Sequence, residues 1–476
     1  MKSATRTAAL AGQEAREKNP NPNVTPQEPM ATVQLRTIPR AEHSISRKNI
    51  SNGALRVLYR LNDAGYQAFL VGGAVRDLLL GGHPKDFDIA TNATPEEVRG
   101  LFRNCRLIGR RFRLAHVVFG REIVEVATFR GTGTGEDGAG DRHLVDGRLV
   151  RDNIYGSIEE DALRRDFTVN ALYYDIADFS VRDYVGGMQD LEARTLRLIG
   201  DPESRYREDP VRMLRAARLA AKLDFRIAPE AAAPFARLGG LLAEAPPARL
   251  FDESLKLFLS GYGLASFHAL LTHGLLQHVF PGTARALMSE HADRFRVLLE
   301  RTLASTDERV RSDKPVTPAF LFAAMLWEPV RSEAEAMIAG GTDPSVAWAA
   351  ASDRVMSEQA QRVAIPRRFS YSIEEIWTLQ PRFEQRVKKR VFRLLAHPRF
   401  RAAYDFLMLR SSESPAMAEL AEWWTTAQTA DHQELAQQFT PAPSGDSEKS
   451  PARRKRPRRR RRKAKASSEE SGALPE

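Results

Sequence analysis

Residues 67–91 read QAFLVGGAVRDLLLGGHPKDFDIAT. A short apolar run, Ala68 to Val71, breaks at Gly72-Gly73. Ala74 to Leu80 has helical character, Gly81-Gly82 stops it, and Asp86-Phe87-Asp88-Ile89 begins a second strand. Apolar run, glycine pair and short helix together are the pattern of a strand-to-helix turn. Along a strand, residues i and i+2 share a face, so Asp86 and Asp88 project together while Phe87 turns inward. Two neighbouring carboxylates raise each other's pKa unless a cation lies between them. A hard divalent ion with oxygen ligands, Mg²⁺ or Mn²⁺, suits such a pair. Glycines leave the backbone N–H groups of a helix start open to a phosphate. Polyphosphate on the glycines and metal on the acids is the arrangement of nucleotidyl transfer.

DxD and GG are each common in ordinary turns. Their combination, GG-x-x-RD with DFD nine residues later, is much more specific, and with it the chain resembles the class II nucleotidyltransferases, the group of bacterial poly(A) polymerases and tRNA CCA-adding enzymes. The resemblance implies an α+β fold. A polymerase-beta-like head with a small mixed sheet is followed by an all-α neck, body and RNA-binding region and a disordered basic tail. Within the group, Asp86 and Asp88 bind Mg²⁺, and the segment with Gly72, Gly73 and Arg76 holds ATP. Arg164-Arg165-Asp166-Phe167-Thr168-x-Asn170-Ala171 matches a segment that contacts ribose and phosphates. It adds Arg165 and Asn170 to the ATP site and Asp166 to the catalytic acids. Glu208-Asp209-Pro210-Val211-Arg212 matches the element that reads the incoming base, with Arg215 and Arg218 following it. Asp209 and Arg212 are three apart, which on one helix places them on one face. Asp183-x-x-Gly186-Gly187 is more simply a structural turn.

Other residues extend the site. In EIVEVATFR, residues 122–130, alternation puts Ile123, Glu125 and Ala127 on one face. Glu125 is therefore a candidate third metal ligand, although a lone Glu on a strand usually faces solvent. Gly109-Arg110-Arg111-Phe112-Arg113-Leu114 carries an extra basic pair, the form found in bacterial poly(A) polymerases, and Arg110, Arg111 and Arg113 are candidate RNA contacts. His116 is assigned no chemistry.

Charge and length set the remaining bounds. The 476 residues carry a net charge of +10, yet 453–465, RRKRPRRRRRKAK, holds eleven Lys or Arg and no acid. The body is thus near neutral and the basicity is a tail. Such a tail binds nucleic acid by counterion release without sequence preference, with Arg454, Arg456, Arg459 and Arg461 among its contacts. One cysteine, Cys105, excludes intramolecular disulfides and multi-cysteine zinc sites. No apolar run reaches the roughly 18 residues of a membrane helix, so a soluble cytoplasmic protein is expected.

The expected organisation is a disordered lead (1–44), a catalytic head (45–200) with a mobile loop at 131–153, and a helical neck (201–265). A helical RNA-binding body (266–428) and the disordered tail (429–476) complete it. The helix opening at Ser157 is expected to run through Arg164-Arg165-Asp166 to about Tyr174. The expected activity is template-independent addition of AMP from ATP to RNA 3′ ends, with loss of pyrophosphate, promoting RNA processing and decay. The alternatives are a tRNA CCA-adding enzyme and a catalytically silent RNA-binding protein.

Overall fold

The computed structural model describes residues 35–109, 113–131, 142–145, 148–152 and 154–431. Among them an eight-stranded mixed sheet forms the head and helices form everything after residue 228. The strands are β1 (Arg36–Ile38), β2 (Ala68–Val71), β3 (Asp88–Thr91), β4 (Cys105–Ile108), β5 (Leu114–Phe119) and β6 (Glu122–Thr128). A separate hairpin, β7 (Arg142–Val145) and β8 (Arg148–Asp152), precedes β9 (Leu172–Asp175) and β10 (Val181–Asp183). The sheet order is β1-β10-β9-β2-β3-β6-β5-β4, antiparallel except for the parallel β3–β6 pair. Two short strands, β11 (Thr195–Leu196) and β12 (Arg226–Ile227), pair in parallel where head meets neck.

The helices of the head are α1 (Asn52–Asp63), α2 (Gly73–Leu79), α3 (Pro95–Leu101), α4 (Ile158–Arg164) and α5 (Gly187–Glu192). Ser51 caps α1, and Val57, Leu58 and Leu61 bury its inner face on the sheet. Thr94 and Glu97 form a capping box at α3, as do Ser157 and Glu160 at α4. Each cap satisfies N–H groups that would otherwise be orphaned, worth about 1 kcal/mol. The sheet buries both faces: Leu70, Ile89, Val126 and Tyr174 on one side, Phe69, Ala90 and Tyr173 with α4 on the other.

The neck begins with α6 (Pro202–Glu208) and α7 (Val211–Leu223). Phe167 and Val169 of the head lie in one continuous buried cluster with Leu214 and Ala217 of α7 and with residues as far on as Phe406. Residues 379–427 add a smaller core around Trp424 and Phe383. No helix among the described residues is long and apolar enough to cross a membrane.

Four expectations need correction. The structureless lead was expected to reach residue 44, but Arg36–Ile38 is the edge strand β1, with Ile38 buried. The segment 131–153 was expected to be a loop, yet it contains the β7–β8 hairpin; its Asp146-Gly147 dipeptide is a hairpin-turn signal. The helix from Ser157 stops at Arg164, where Arg165 takes extended backbone angles, and Leu172–Asp175 is the interior strand β9. A short, fully buried apolar run fits either element, and pairing with β2 and β10 decides it. Finally, Asp209 ends α6 with extended backbone angles, so it does not share a helix with Arg212.

Candidate active site

The head places three acids at one end of its sheet. Register pairs Val71 with Asp88 across β2–β3, and Asp88 with Glu125 across β3–β6. Asp88 and Glu125 therefore stand side by side on the face that carries Val71, Ala90 and Ala127. Asp86 sits two residues before the strand and is exposed, while Phe87 between them is buried, as alternation predicts. Protein surrounds the Asp88 carboxylate on the cleft floor even though its outer edge meets solvent. Burial, and after it the charge of Glu125, pushes its pKa up to about 6; Asp86 adds to this and Arg165 opposes it. His116 faces Glu125 across β5–β6, with Nε2 3.3 Å from the carboxylate but too poorly aligned for a hydrogen bond. Among the described residues no three His, Cys, Asp or Glu side chains converge as a metal cluster.

Facing these acids is the glycine turn. Gly72 has φ 72° and ψ −138°, a backbone conformation that a residue with Cβ adopts only under strain. A Cβ there would lie 3.6 Å from an Arg165 guanidinium nitrogen and 3.9 Å from an Asp88 oxygen. Bare backbone, a guanidinium and a carboxylate thus meet at one point. Arg165 is held from behind. Its Nε donates to Tyr173 Oη (2.9 Å) and Asp161 Oδ2 (3.2 Å), and Nη2 donates to Asp161 Oδ2 (3.0 Å). Tyr173 Oη also donates to Asp161, at 2.7 Å. Asp161 escaped the sequence reading, although its i,i+4 spacing from Arg165 is a usable signal.

Asp166, grouped with the catalytic acids, lines the cleft, and its oxygens are engaged by neighbouring side chains. Oδ1 accepts from Phe167 N (2.8 Å) and Asn170 Nδ2 (3.2 Å), and Oδ2 accepts both Nε (2.9 Å) and Nη2 of Arg215. Burial raises its pKa, but the Arg215 charge and these hydrogen bonds outweigh that and hold it at about 2. Asp166 therefore ties α7 to the head. Arg76 and Asn170 also belong to the scaffold: Arg76 is buried, donates to Asn170 Oδ1 and Asp77 Oδ1, and lies against Gly73. Neither lines the cleft. They hold the glycine turn and Asp166 from beneath.

The neck supplies the opposite wall of this cleft of about 410 Å³. Asp209 and Arg212 both line it; the Arg212 N–H donates to the Asp209 carbonyl (3.1 Å), while their side chains take other partners. The Asp209 carboxylate takes a two-pronged bond from Arg249 (2.8 and 2.6 Å), and Arg212 Nη1 donates to Glu208 (2.7 Å) and to the Arg205 carbonyl (2.8 Å). Arg205 in turn donates to the carbonyls of Arg164 (2.8 Å) and Arg165 (2.6 Å), fastening neck to head. Arg249 was missed because it lies 40 residues from Asp209; Arg205 was missed as a fastener of neck to head because the carbonyls it binds lie about 40 residues back, although it also pairs with nearby Glu208. Arg215 lines the cleft; Arg218 points elsewhere, to buried Glu253 at 2.6 Å.

Of the expected RNA contacts, Arg113 pairs with Glu96. Arg110, Arg111, Arg454, Arg456, Arg459 and Arg461 lie outside the described residues. Asp183 accepts from the N–H groups of Val185, Gly187 and Met188 (3.0, 2.9 and 2.9 Å), so its glycine motif is the structural turn expected.

Comparison with known proteins then decides among the class II enzymes. Residues 68–197 match the poly A polymerase head domain, 224–287 the probable RNA and SrmB-binding site of polymerase A, and 340–463 the polymerase A arginine-rich C-terminus. Poly(A) polymerase I of Escherichia coli O6:H1 is 52% identical over 433 residues, 89% of this chain and 92% of that protein. The chain belongs to the bacterial poly(A) polymerase family. A CCA-adding enzyme of Lactobacillus johnsonii is 35% identical over 233 residues, 49% of this chain and 56% of its own length. The solved CCA-adding enzyme of Bacillus stearothermophilus with CTP aligns at TM-score 0.53 and 25% identity, covering 83% of this chain and 88% of its own. The chain thus shares its fold with a CCA-adding enzyme, while the poly(A) polymerase I match is 52% identical over 89% of the chain and the Lactobacillus johnsonii CCA-adding match 35% identical over 49%.

Proposed function

We propose that this chain is a template-independent RNA adenylyltransferase working in the cleft between head and neck. The RNA 3′-oxygen forms a bond to the α-phosphorus of ATP, the bond from that phosphorus to the bridging oxygen of pyrophosphate breaks, and the hydroxyl proton leaves to solvent or a carboxylate. The reading rests chiefly on the pairing of Asp88 with Glu125 opposite Arg165 and the bare backbone of Gly72.

Asp88 and Glu125 stand paired across β3–β6 with Asp86 two residues upstream, and the Asp88 pKa, raised to about 6 by burial and like charge, marks a pair that a cation would relieve. Mg²⁺ or Mn²⁺ would suit that pair, held by Asp88 and Glu125 with Asp86 as a further candidate ligand. Such an ion supplies Lewis-acid stabilisation of the attacking and leaving oxygens. The chain's own groups do the rest. Arg165, fixed by Asp161 and Tyr173, offers its fork to the polyphosphate. The N–H groups at the glycine turn add donors. Asp209, oriented by Arg249, and Arg212, oriented by Glu208, present an acceptor and a donor toward the base. Adenine offers N6 as donor and N1 as acceptor, so the two complement it.

The test is purified protein with Mg²⁺, ATP or CTP, and two RNAs. Long A-tails on unstructured RNA support the reading; addition of three nucleotides to truncated tRNA instead would assign it to CCA addition. Asp88→Ala separates catalysis from binding. If that variant tails RNA as well as the wild type, the assignment of the acids is wrong.

A further inference from the structure

The face of the head sheet opposite the cleft carries a second feature that polymerisation does not use. Tyr173 and Tyr174 are neighbours on β9, and alternation turns them to opposite faces. Tyr173 supports Arg165 in the cleft, whereas Tyr174 borders a groove of about 580 Å³ between α1 and residues 40–50. Arg40, Arg47 and Lys48 line this groove, all exposed, and no carboxylate among the described residues pairs with any of them. The rings of Tyr59 and Phe179 line it together with the cations. The Arg47 guanidinium is 4.6 Å from the centre of the Phe179 ring and donates to Tyr59 Oη at 3.0 Å. Tyr59 keeps 38% of its surface open to solvent.

Phe179 adds an independent sign of a built surface. Its φ is 61°, a left-handed conformation costing a bulky residue about 1–2 kcal/mol. The Phe179 carbonyl lies 2.8 Å from His43 Nε2, and the His43 ring packs edge-on to Tyr174 at 6.0 Å. The strained turn is thereby pinned so that the ring lies under Arg47.

We propose that this groove is a second, non-catalytic contact for single-stranded RNA, taking nucleotides upstream of the 3′ end that occupies the cleft. Cations with no carboxylate partner among the described residues, set beside aromatic rings, fit it: phosphates meet Arg40 and Lys48, and a base stacks on Tyr59 beside the Arg47–Phe179 pair. Stacking on a ring is worth about 1–3 kcal/mol per base and tolerates any sequence. That tolerance suits an enzyme that must accept many transcripts. The inference rests on RNA being the substrate.

The experiment uses the full chain, a twenty-nucleotide and a six-nucleotide oligo(A), and binding by fluorescence anisotropy across a salt series. The triple variant Arg40→Glu/Arg47→Glu/Lys48→Glu should weaken the twenty-mer at least about fivefold. Its salt slope should flatten by about 1–2, since each lost phosphate contact removes about 0.7. Tyr59→Ser should weaken the twenty-mer and leave the salt slope in place. In both variants the KM for ATP and for the six-nucleotide primer should match the wild type. Wild-type affinity of the triple variant for the twenty-mer overturns the proposal, as does an equal loss for both RNAs. Wild-type protein that binds neither RNA would instead defeat the functional reading itself.

Discussion

Removing the Arg215 guanidinium tests the claim that Asp166 is a structural anchor between head and neck. The Asp166 side chain is 13% exposed and that of Arg215 34%. Breaking a buried ion pair from one side costs about 3–5 kcal/mol, because the remaining charge is stranded. Arg215 reaches solvent over a third of its surface, and screening there brings the expected loss for Arg215→Met to about 2–3 kcal/mol. The companion variant Asp166→Asn/Arg215→Met leaves no stranded charge and should recover more than half of that, with a coupling energy of about 1–2 kcal/mol. Urea unfolding at pH 7, followed by circular dichroism, measures the wild type, Asp166→Asn, Arg215→Met and the double variant. The pH dependence has a defined sign. Asp166 has a depressed folded-state pKa of about 2, so its contribution is present above its unfolded value near 4 and disappears as pH falls toward 2. The gap between wild type and Arg215→Met should close over that window. A gap under about 0.5 kcal/mol at pH 7, or strictly additive effects, would refute the anchor.

Four further outcomes follow from the cleft. In the metal-free protein the Asp88 carboxyl should titrate near pH 6 by NMR and fall when Mg²⁺ is added; Glu125→Gln should lower it by removing a like charge. An unchanged titration in that variant would mean the two acids do not interact. Because a ligating carboxylate must be ionised, Mg²⁺ affinity should drop as pH falls through 6, measured by calorimetry. Gly72→Ala should cost about 1–3 kcal/mol at its positive φ and raise the KM for ATP by straining the turn whose backbone faces the polyphosphate. Arg249→Ala, which frees Asp209, should reduce the preference for ATP over CTP at least about fivefold in kcat/KM; an unchanged ratio removes Asp209 from base selection.

Local signals carried the sequence reading where chemistry and spacing coincide. The glycine turn, the alternation of Asp86, Phe87 and Asp88, and the structural turn at Asp183 are each fixed within a few residues, and the structure repeats them. The same local logic misjudged Leu172–Asp175 and the segment 131–153. A buried apolar run has no period of its own to separate strand from helix, and glycine-rich composition concealed a hairpin.

From its sequence alone the chain determined that a strand, a glycine turn and a pair of alternating acids would stand together, because each depends on neighbours in the chain. The tertiary structure decided how that machinery is fastened. Asp88 meets Glu125 only through a parallel pairing that spans 37 positions, and Asp209 meets Arg249 from a helix 40 residues on. Asp166 lines the cleft and is joined to α7 by Arg215, a partner 49 residues away. Spacing along a chain constrains only what a few turns of backbone can reach. Partners beyond that reach are chosen by the packing of the buried cluster that α7 shares with the head.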